Sequence, residues 1–246
     1  MSRPPTPGGR DASLHLAPTA LAARNLRAET VAEERIRVVG NPVIDVLRAV
    51  GPARRPPAER SGVVLTAHRP TNVDDPVRLE RLIDLAIRLR GEIGPVTFPL
   101  HPRTRSRLED AGGLRRLQAG GVRLLPPLPY PNMLAAVAGA RVVVTDSGGL
   151  QEEASWFGVP VVVLRNSTPR WEGVEAGTSV LTGLDPERAV AAAGRFGTPE
   201  EQCRVAGQPC PYGDGHTADR VVQLLGDADV LDLLRLCEPA PVAGFP

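Results

Sequence analysis

The sequence predicts an α/β fold, a single doubly wound parallel sheet with helices on both faces. Two observations point there. Short apolar runs alternate along the chain with stretches whose apolar residues recur at helical 3-4 spacing. Within the runs, Val and Leu do not alternate with polar residues, so both faces of the sheet should be buried. Aromatic residues are 3% against 42% hydrophobic overall, which makes the expected core aliphatic.

Taken in order, residues 1–14 lack the apolar core of a signal peptide and read as a disordered leader. Residues 15–34 form a helix and connector, with Pro18-Thr19 opening a helix through Ala23 to Arg27. The main domain is expected over residues 35–225. Its strands are expected at Ile36–Val39, Val63–Thr66, Val96–Leu100, Arg123–Leu125, Val142–Thr145, Pro160–Leu164 and Ser179–Leu181. The Pro- and Arg-rich Gly51–Ser61 reads as a surface loop. Asp75-Pro76 supplies a capping carboxylate and an N1 proline for a helix to about Arg90, whose Leu79, Leu82, Ile83, Ala86 and Leu89 share one face. Asp185-Pro186 repeats the device ahead of Ala189–Ala193. A tail, residues 226–246, holds a short leucine-rich helix at Val230–Leu236 and a loose end.

The formal charge of +1 gives no reason to expect nucleic acid or an acidic membrane surface as partner. No apolar run approaches the ~20 residues of a membrane span. Cys203, Cys210 and Cys237 are odd in number and lack CxxC spacing, which argues against a zinc site or a disulfide framework and fits a reducing, cytoplasmic setting.

In open parallel sheets, ligands bind beyond the carboxyl ends of the strands. The strongest candidate there is TDSGGLQEE, Thr145–Glu153. A β-branched strand stops at Asp146, and Ser147, Gly148 and Gly149 turn the chain into a helix. The free N–H groups and positive dipole end of that helix suit a phosphate. Glu152 and Glu153 follow, and either could accept hydrogen bonds from a ribose. The competing reading is a tight turn with an acidic, dipole-compensating first helical turn. After another strand come His68, Arg69 and Asn72; a histidine there can exchange protons or donate to a phosphate. His101, Arg103 and Arg105 repeat the arrangement, with a basic exposed helix start as the competing reading. Arg165, Arg170 and Glu172 follow Pro160–Leu164, and a guanidinium suits phosphate.

These segments closely resemble the non-hydrolysing UDP-N-acetylglucosamine 2-epimerases. The resemblance is carried by TDSGGLQEEASWFGVPVVVLRNSTPRWEGVEAG, by GNPVIDVL at Gly40–Leu47 and by TAHRPTNVDDPVRL at Thr66–Leu79. FPLHPRTRSRL at Phe98–Leu108 and PYGDGHTADRV at Pro211–Val221 add to it, in the same order, from about His15 to Leu225. It implies a Rossmann-like sheet resembling the C-terminal domain of a two-domain GT-B-type enzyme. The implied activity inverts C2 of UDP-GlcNAc to give UDP-ManNAc, by eliminating UDP to a glycal and adding it back, without cofactor or metal. By resemblance, Ser147, Gly148 and Gly149 hold the diphosphate and Glu153 the ribose. Arg170 neutralises phosphate charge, His68 sits at the reacting sugar, and His101 resembles a histidine near a second, activating UDP-GlcNAc site.

The resemblance also implies what differs. The family's first Rossmann-like domain, with its proton-moving carboxylates, has no counterpart here. Thr71 stands where the family's HRxEN motif has Glu, and Met133 where an aromatic packs near the uracil. Two readings of function follow: an epimerase incomplete as a stand-alone catalyst, or a non-catalytic module that binds UDP or a UDP-sugar. Expected partners are UDP-GlcNAc or UDP, with a homodimer or a chain supplying the first domain.

Overall fold

The computed structural model describes residues 12–234. Most of the leader, the end of the leucine-rich tail helix and Cys237 lie outside the described residues. The first elements are β1 (His15–Ala17), α1 (Ala20–Ala28), β2 (Ile36–Val38) and α2 (Pro42–Val50). The strands β3 (Val63–Thr66), β4 (Val96–Pro99), β5 (Arg123–Leu125), β6 (Val142–Thr145), β7 (Val161–Val163) and β8 (Ser179–Leu181) follow. Between them run α3 (Pro70–Val73), α4 (Pro76–Glu92), α5 (Pro102–Asp110), α6 (Gly113–Ala119), α7 (Tyr130–Gly139), α8 (Gly148–Trp156) and α9 (Trp171–Glu175). The helices α10 (Pro186–Phe196), α11 (Pro199–Ala206), α12 (Thr217–Leu225) and α13 (Ala228–Leu234) close the described chain.

The main sheet has six parallel strands in the order β5-β4-β3-β6-β7-β8. Counted from its first strand, this is the doubly wound order 3-2-1-4-5-6, whose connections reverse direction between β3 and β6. Alternate strand residues face opposite layers. Val63, Leu65, Phe98, Val142 and Val144 pack with Leu82, Ile83, Leu85 and Leu89 of α4 and with Ala193 and Phe196 of α10. Val64, Val143, Val161 and Val163 pack with Leu134 and Val137 of α7, Ala154 of α8 and Ile44 of α2. Both faces are buried, which is why the strands read as unbroken apolar runs.

Helix starts follow their caps. Asp75 accepts from the Arg78 N–H at 2.9 Å and Asp185 from the Arg188 N–H at 3.0 Å, each with proline at N1. Thr19 caps α1 through the Ala22 N–H at 3.0 Å.

Two expectations are corrected. Ile36–Val38 does not join the main sheet. It pairs in parallel with His15–Ala17, a strand the sequence pattern missed, in a separate two-stranded sheet over Ala23, Leu26 and Val31. Three residues containing a histidine and an alanine are too short and too mixed to show strand periodicity. The loop at residues 51–61 is also not wholly a surface feature, because Arg60 is only 3% exposed. Its guanidinium donates to the carbonyls of Arg55 at 3.0 Å and Phe157 at 2.8 Å, and to Gly158, at the carboxyl end of α8.

Candidate functional site

The reversal between β3 and β6 opens a crevice at the carboxyl edge of the sheet, and the residues that follow these two strands meet in it. Thr66 and Thr145, register partners at the strand ends, share a buried hydroxyl–hydroxyl hydrogen bond of 2.6 Å. Thr145 also accepts from the Ser147 N–H at 2.9 Å, which fixes the turn into α8.

Asp146 organises the crevice. It is fully buried and accepts from the N–H of His68 at 3.0 Å, the N–H of Arg69 at 2.9 Å and the Asn72 side-chain amide at 3.0 Å. The His68 ring lies against it, Nδ1 to Oδ1 at 3.1 Å. Burial alone would raise the Asp146 pKa, but the hydrogen bonds from His68, Arg69 and Asn72 outweigh it and hold the carboxyl below its ordinary range. One carboxylate on the second strand thereby fixes the backbone and side chains of the loop after the first. Sequence reasoning took Asp146 only as a strand end. The HR..N spacing at His68, Arg69 and Asn72 was the available signal.

Ser147 caps α8, accepting from the Leu150 N–H at 3.4 Å. Gly148 and Gly149 form its first turn, and a Cβ built at either meets nothing within 4 Å. Neither has a positive φ. The fold therefore does not require glycine at these positions; the space above them does, if an anion is to reach the backbone. The first turn of α8 carries no acidic residue, so the dipole-compensation reading fails. Glu152 and Glu153 lie beyond it, buried at 6% and 8% exposure.

These two carboxylates are differently engaged. Glu152 accepts from the Asn41 amide at 2.9 Å and pairs with Arg170 Nε. Burial nevertheless raises its pKa against the pull of Arg170 and Asn41. Burial raises the Glu153 pKa, partly offset by the Tyr130 hydroxyl that faces it and reinforced by Glu152. Desolvation and the Glu153 charge push Tyr130 up to about 12. Met133 lies one turn along α7 from Tyr130, half-buried against the core.

Arg69, Arg165 and Arg170 line a cleft of about 1020 Å³ together with Leu16, Pro18, Leu21 and Ala22. Arg170 is ion-paired to Glu152. Among the described residues, neither Arg69 nor Arg165 pairs with a carboxylate. Arg69 Nε donates to the Asp146 carbonyl at 2.9 Å, and one terminal nitrogen of Arg165 is buried without a hydrogen-bond partner. Burial lowers the Arg165 pKa, as do the charges of Arg69 and Arg170. Two crowded cations at a helix N-terminus call for an anion.

The second basic segment behaves otherwise. His101 caps α5, its Nδ1 accepting from the Arg103 N–H at 3.2 Å, and its ring lies 5.4 Å from that of His68. Arg103 is drawn to Asp74 at 2.6 Å and Arg105 to Glu109 at 3.1 Å, one helical turn on. The exposed basic helix start is the correct reading for those two arginines. Glu172 accepts from the Thr19 hydroxyl at 2.6 Å and ties α9 to the start of α1. Cys203 and Cys210 are free thiols.

A family model described as UDP-N-acetylglucosamine 2-epimerase matches residues 9–226. The chain is 36% identical over 228 residues to the UDP-N-acetylglucosamine 2-epimerase of Bacillus subtilis, covering 88% of this chain and 58% of that protein. It is 33% identical over 222 residues to the UDP-2,3-diacetamido-2,3-dideoxy-D-glucuronate 2-epimerase of Pseudomonas aeruginosa, covering 85% and 58%. The structure of Methanocaldococcus jannaschii UDP-GlcNAc 2-epimerase in complex with UDP-GlcNAc and UDP matches with a TM-score of 0.72 at 28% identity, over 87% of this chain and 61% of that one. The S. aureus MnaA–UDP co-structure matches with a TM-score of 0.73 at 31% identity, over 90% and 60%. The chain thus spans under two thirds of the length of these relatives. With the family model matched over most of its length and a relative 36% identical over 88% of it, the chain belongs to the UDP-N-acetylglucosamine 2-epimerase family.

Proposed function

We propose that this chain binds a UDP-sugar by its diphosphate across the N-terminus of α8 and serves the interconversion of UDP-GlcNAc and UDP-ManNAc. One observation carries the reading. The first turn of α8 is open above Gly148 and Gly149, Arg69 reaches the Asp146 carbonyl just ahead of it, and neither Arg69 nor Arg165 has a carboxylate partner among the described residues. On this reading the nucleoside runs toward Glu153, Tyr130 and Met133, with Glu153 accepting from ribose hydroxyls.

The chemistry follows from charge. When the bond between C1 and the diphosphate oxygen breaks, its electron pair stays on UDP. Helix N–H groups and guanidinium donors are preorganised to hold that charge as it develops. Arg170, held by Glu152, contributes through its terminal nitrogens. With Nδ1 on Asp146, His68 presents Nε2 as the ring nitrogen open to the sugar end.

Loss and return of the C2 proton need a base on each face of the ring. Near the cleft, Asp146 is committed to the His68 loop and Glu152 to Asn41 and Arg170. Glu172 and Glu175, which also line the cleft, are held by Thr19 and Arg24; following the family resemblance, the proton-moving carboxylates are assigned to the family's first domain and residues 35–225 to the UDP-holding part. A homodimer, or a chain carrying those carboxylates, would complete the catalyst. The engagement of Asp146 and Glu152 also favours the second reading, a UDP-binding module without turnover of its own.

Titration calorimetry with UDP tests the site. Weak binding is expected, reduced about tenfold by Ser147→Ala, which removes a hydroxyl from the phosphate cradle. Absence of binding at roughly millimolar protein and ligand would sink the site reading. Incubation with UDP-GlcNAc in deuterated water separates the two functions when the chain is assayed alone and again with the family's first domain supplied as a second chain, because only an incomplete epimerase gains C2 exchange on that addition. No deuterium at C2 is expected from the chain alone, and its appearance would show that the proton-moving groups are present.

A further inference from the structure

A cleft that grips a diphosphate must also deal with what hangs from it. In this chain the residue after Arg170 is Trp171, the N1 residue of α9. It is 43% exposed, a high figure for the largest apolar side chain in a protein with 3% aromatics. It lines the cleft together with Arg165, Arg170, Leu16, Leu21 and Ala22. The sequence has two tryptophans, and the other, Trp156, is covered by the Arg54 guanidinium 4.5 Å from its ring centre. Trp171 has no cation or ring stacked on it among the described residues. Its indole is an exposed apolar face in a cleft that also holds Leu16, Leu21 and Ala22 of the β1–α1 segment and the cations Arg165 and Arg170.

We propose that Trp171 is a specificity-determining residue whose indole packs against the pyranose ring of the nucleotide sugar, so that the cleft distinguishes UDP-sugar from UDP. This rests on the diphosphate reading above. The nucleoside arm is assigned to Glu153 and Tyr130, on the far side of α8. The sugar arm then leaves the diphosphate past Arg165 and Arg170, and Trp171, whose Cα lies about 3.8 Å from that of Arg170, lines the same cleft. A pyranose has a face of C–H groups that matches an aromatic plane, while its hydroxyls and acetamido group remain at the rim for Asn25 and Glu175, which line the same cleft. Bare UDP ends at its β-phosphate and does not reach the ring.

The test uses the full chain with Trp156→Phe, which leaves Trp171 as the single tryptophan and alters no residue of the cleft. UDP-GlcNAc is expected to shift and change Trp171 emission, and UDP to leave it unmoved. By calorimetry, Trp171→Ala should weaken UDP-GlcNAc binding roughly tenfold while UDP binding stays within about twofold; Trp171→Phe should restore most of the loss. An unchanged circular dichroism spectrum excludes loss of fold. If UDP-GlcNAc binds without moving Trp171 emission, or Trp171→Ala weakens both ligands equally or neither, the inference fails while the diphosphate reading survives. If neither ligand binds the unmodified chain, both fall together.

Discussion

Replacing Asp146 with Asn tests how the site is held in place. The carboxylate Oδ2 accepts from the His68 N–H at 3.0 Å, the Arg69 N–H at 2.9 Å and the Asn72 amide at 3.0 Å, while Oδ1 faces His68 Nδ1 at 3.1 Å. An asparagine can keep its oxygen in the Oδ2 position and turn its amide toward Nδ1, which accepts in the other ring tautomer. What is lost is the charge on the acceptor. Hydrogen bonds to a charged group contribute about 1.5–3 kcal/mol and neutral ones about 0.5–1.5, so three weakened bonds cost about 3 kcal/mol. Relief of the buried charge offsets part of this, but the lowered pKa shows that the bonds outweigh burial in the native protein. At about 2–4 °C per kcal/mol for a chain of this size, Tm should fall by about 6–12 °C at pH 7. The pH dependence carries the sign. A carboxyl depressed on folding stabilises fully above its unfolded pKa of about 3.9, and that contribution is lost as pH falls through the lower folded value. The gap between parent and Asp146→Asn should therefore close in acid. Differential scanning calorimetry at neutral pH and near pH 3 measures both. A variant that melts within about 1 °C of the parent at pH 7, or a gap that persists in acid, refutes the reasoning.

Arg60→Met should cost about 2–4 kcal/mol in urea unfolding, because three carbonyls at and near the carboxyl end of α8 lose a buried charged donor. Arg60→Lys should recover part of it, and a loss under about 0.5 kcal/mol for the methionine variant would contradict the assignment. Arg170→Ala should weaken UDP and also leave Glu152 buried without its counter-charge, raising that carboxyl's pKa further. A raised carboxyl favours folding below its unfolded pKa and loses that advantage as pH rises through the folded value. Arg170→Ala should thus be destabilised more at pH 8 than at pH 5. Equal melting shifts at the two pH values would count against a Glu152–Arg170 couple.

The main sheet was legible because its central strands β3, β6 and β7 are buried on both faces, which leaves runs such as Val142–Val144 without polar interruption. Helix starts were legible because Asp75 and Asp185 precede proline, a pairing with few other uses. What escaped was non-local. The pairing of His15–Ala17 with Ile36–Val38 depends on a partner about twenty residues away, not on either segment's own pattern. The burial of Arg60 depends on carbonyls at Phe157 and Gly158, almost one hundred residues on. The cationic triad is a similar case. In a chain whose basic residues are arginines, sequence alone could not separate Arg165, whose terminal nitrogen is buried and unpaired, from Arg105, bridged to Glu109 on the surface.

On the proposed reading, the same details favour the N-terminus of α8 over its other end as the place for an anion. A helix N-terminus is attractive to an anion only while nothing nearer cancels its dipole. Here the first turn has no acidic residue, and the two glutamates that follow are turned into Asn41, Arg170 and Tyr130. The opposite end is satisfied from within by the buried Arg60 cation. Asp146, the nearest buried carboxylate, spends its charge on the N–H groups of His68 and Arg69 and on Asn72. Among the described residues, the charges around α8 are thus answered by partners except those of Arg69 and Arg165 and the open amides of Gly148 and Gly149. A ligand with two adjacent phosphates answers all of them at once, whereas a single carboxylate leaves one arginine over. The expected order of competition against bound UDP is therefore pyrophosphate above inorganic phosphate above acetate. Acetate displacing UDP as well as pyrophosphate does would show that the crevice reads charge alone and not the spacing of two phosphates.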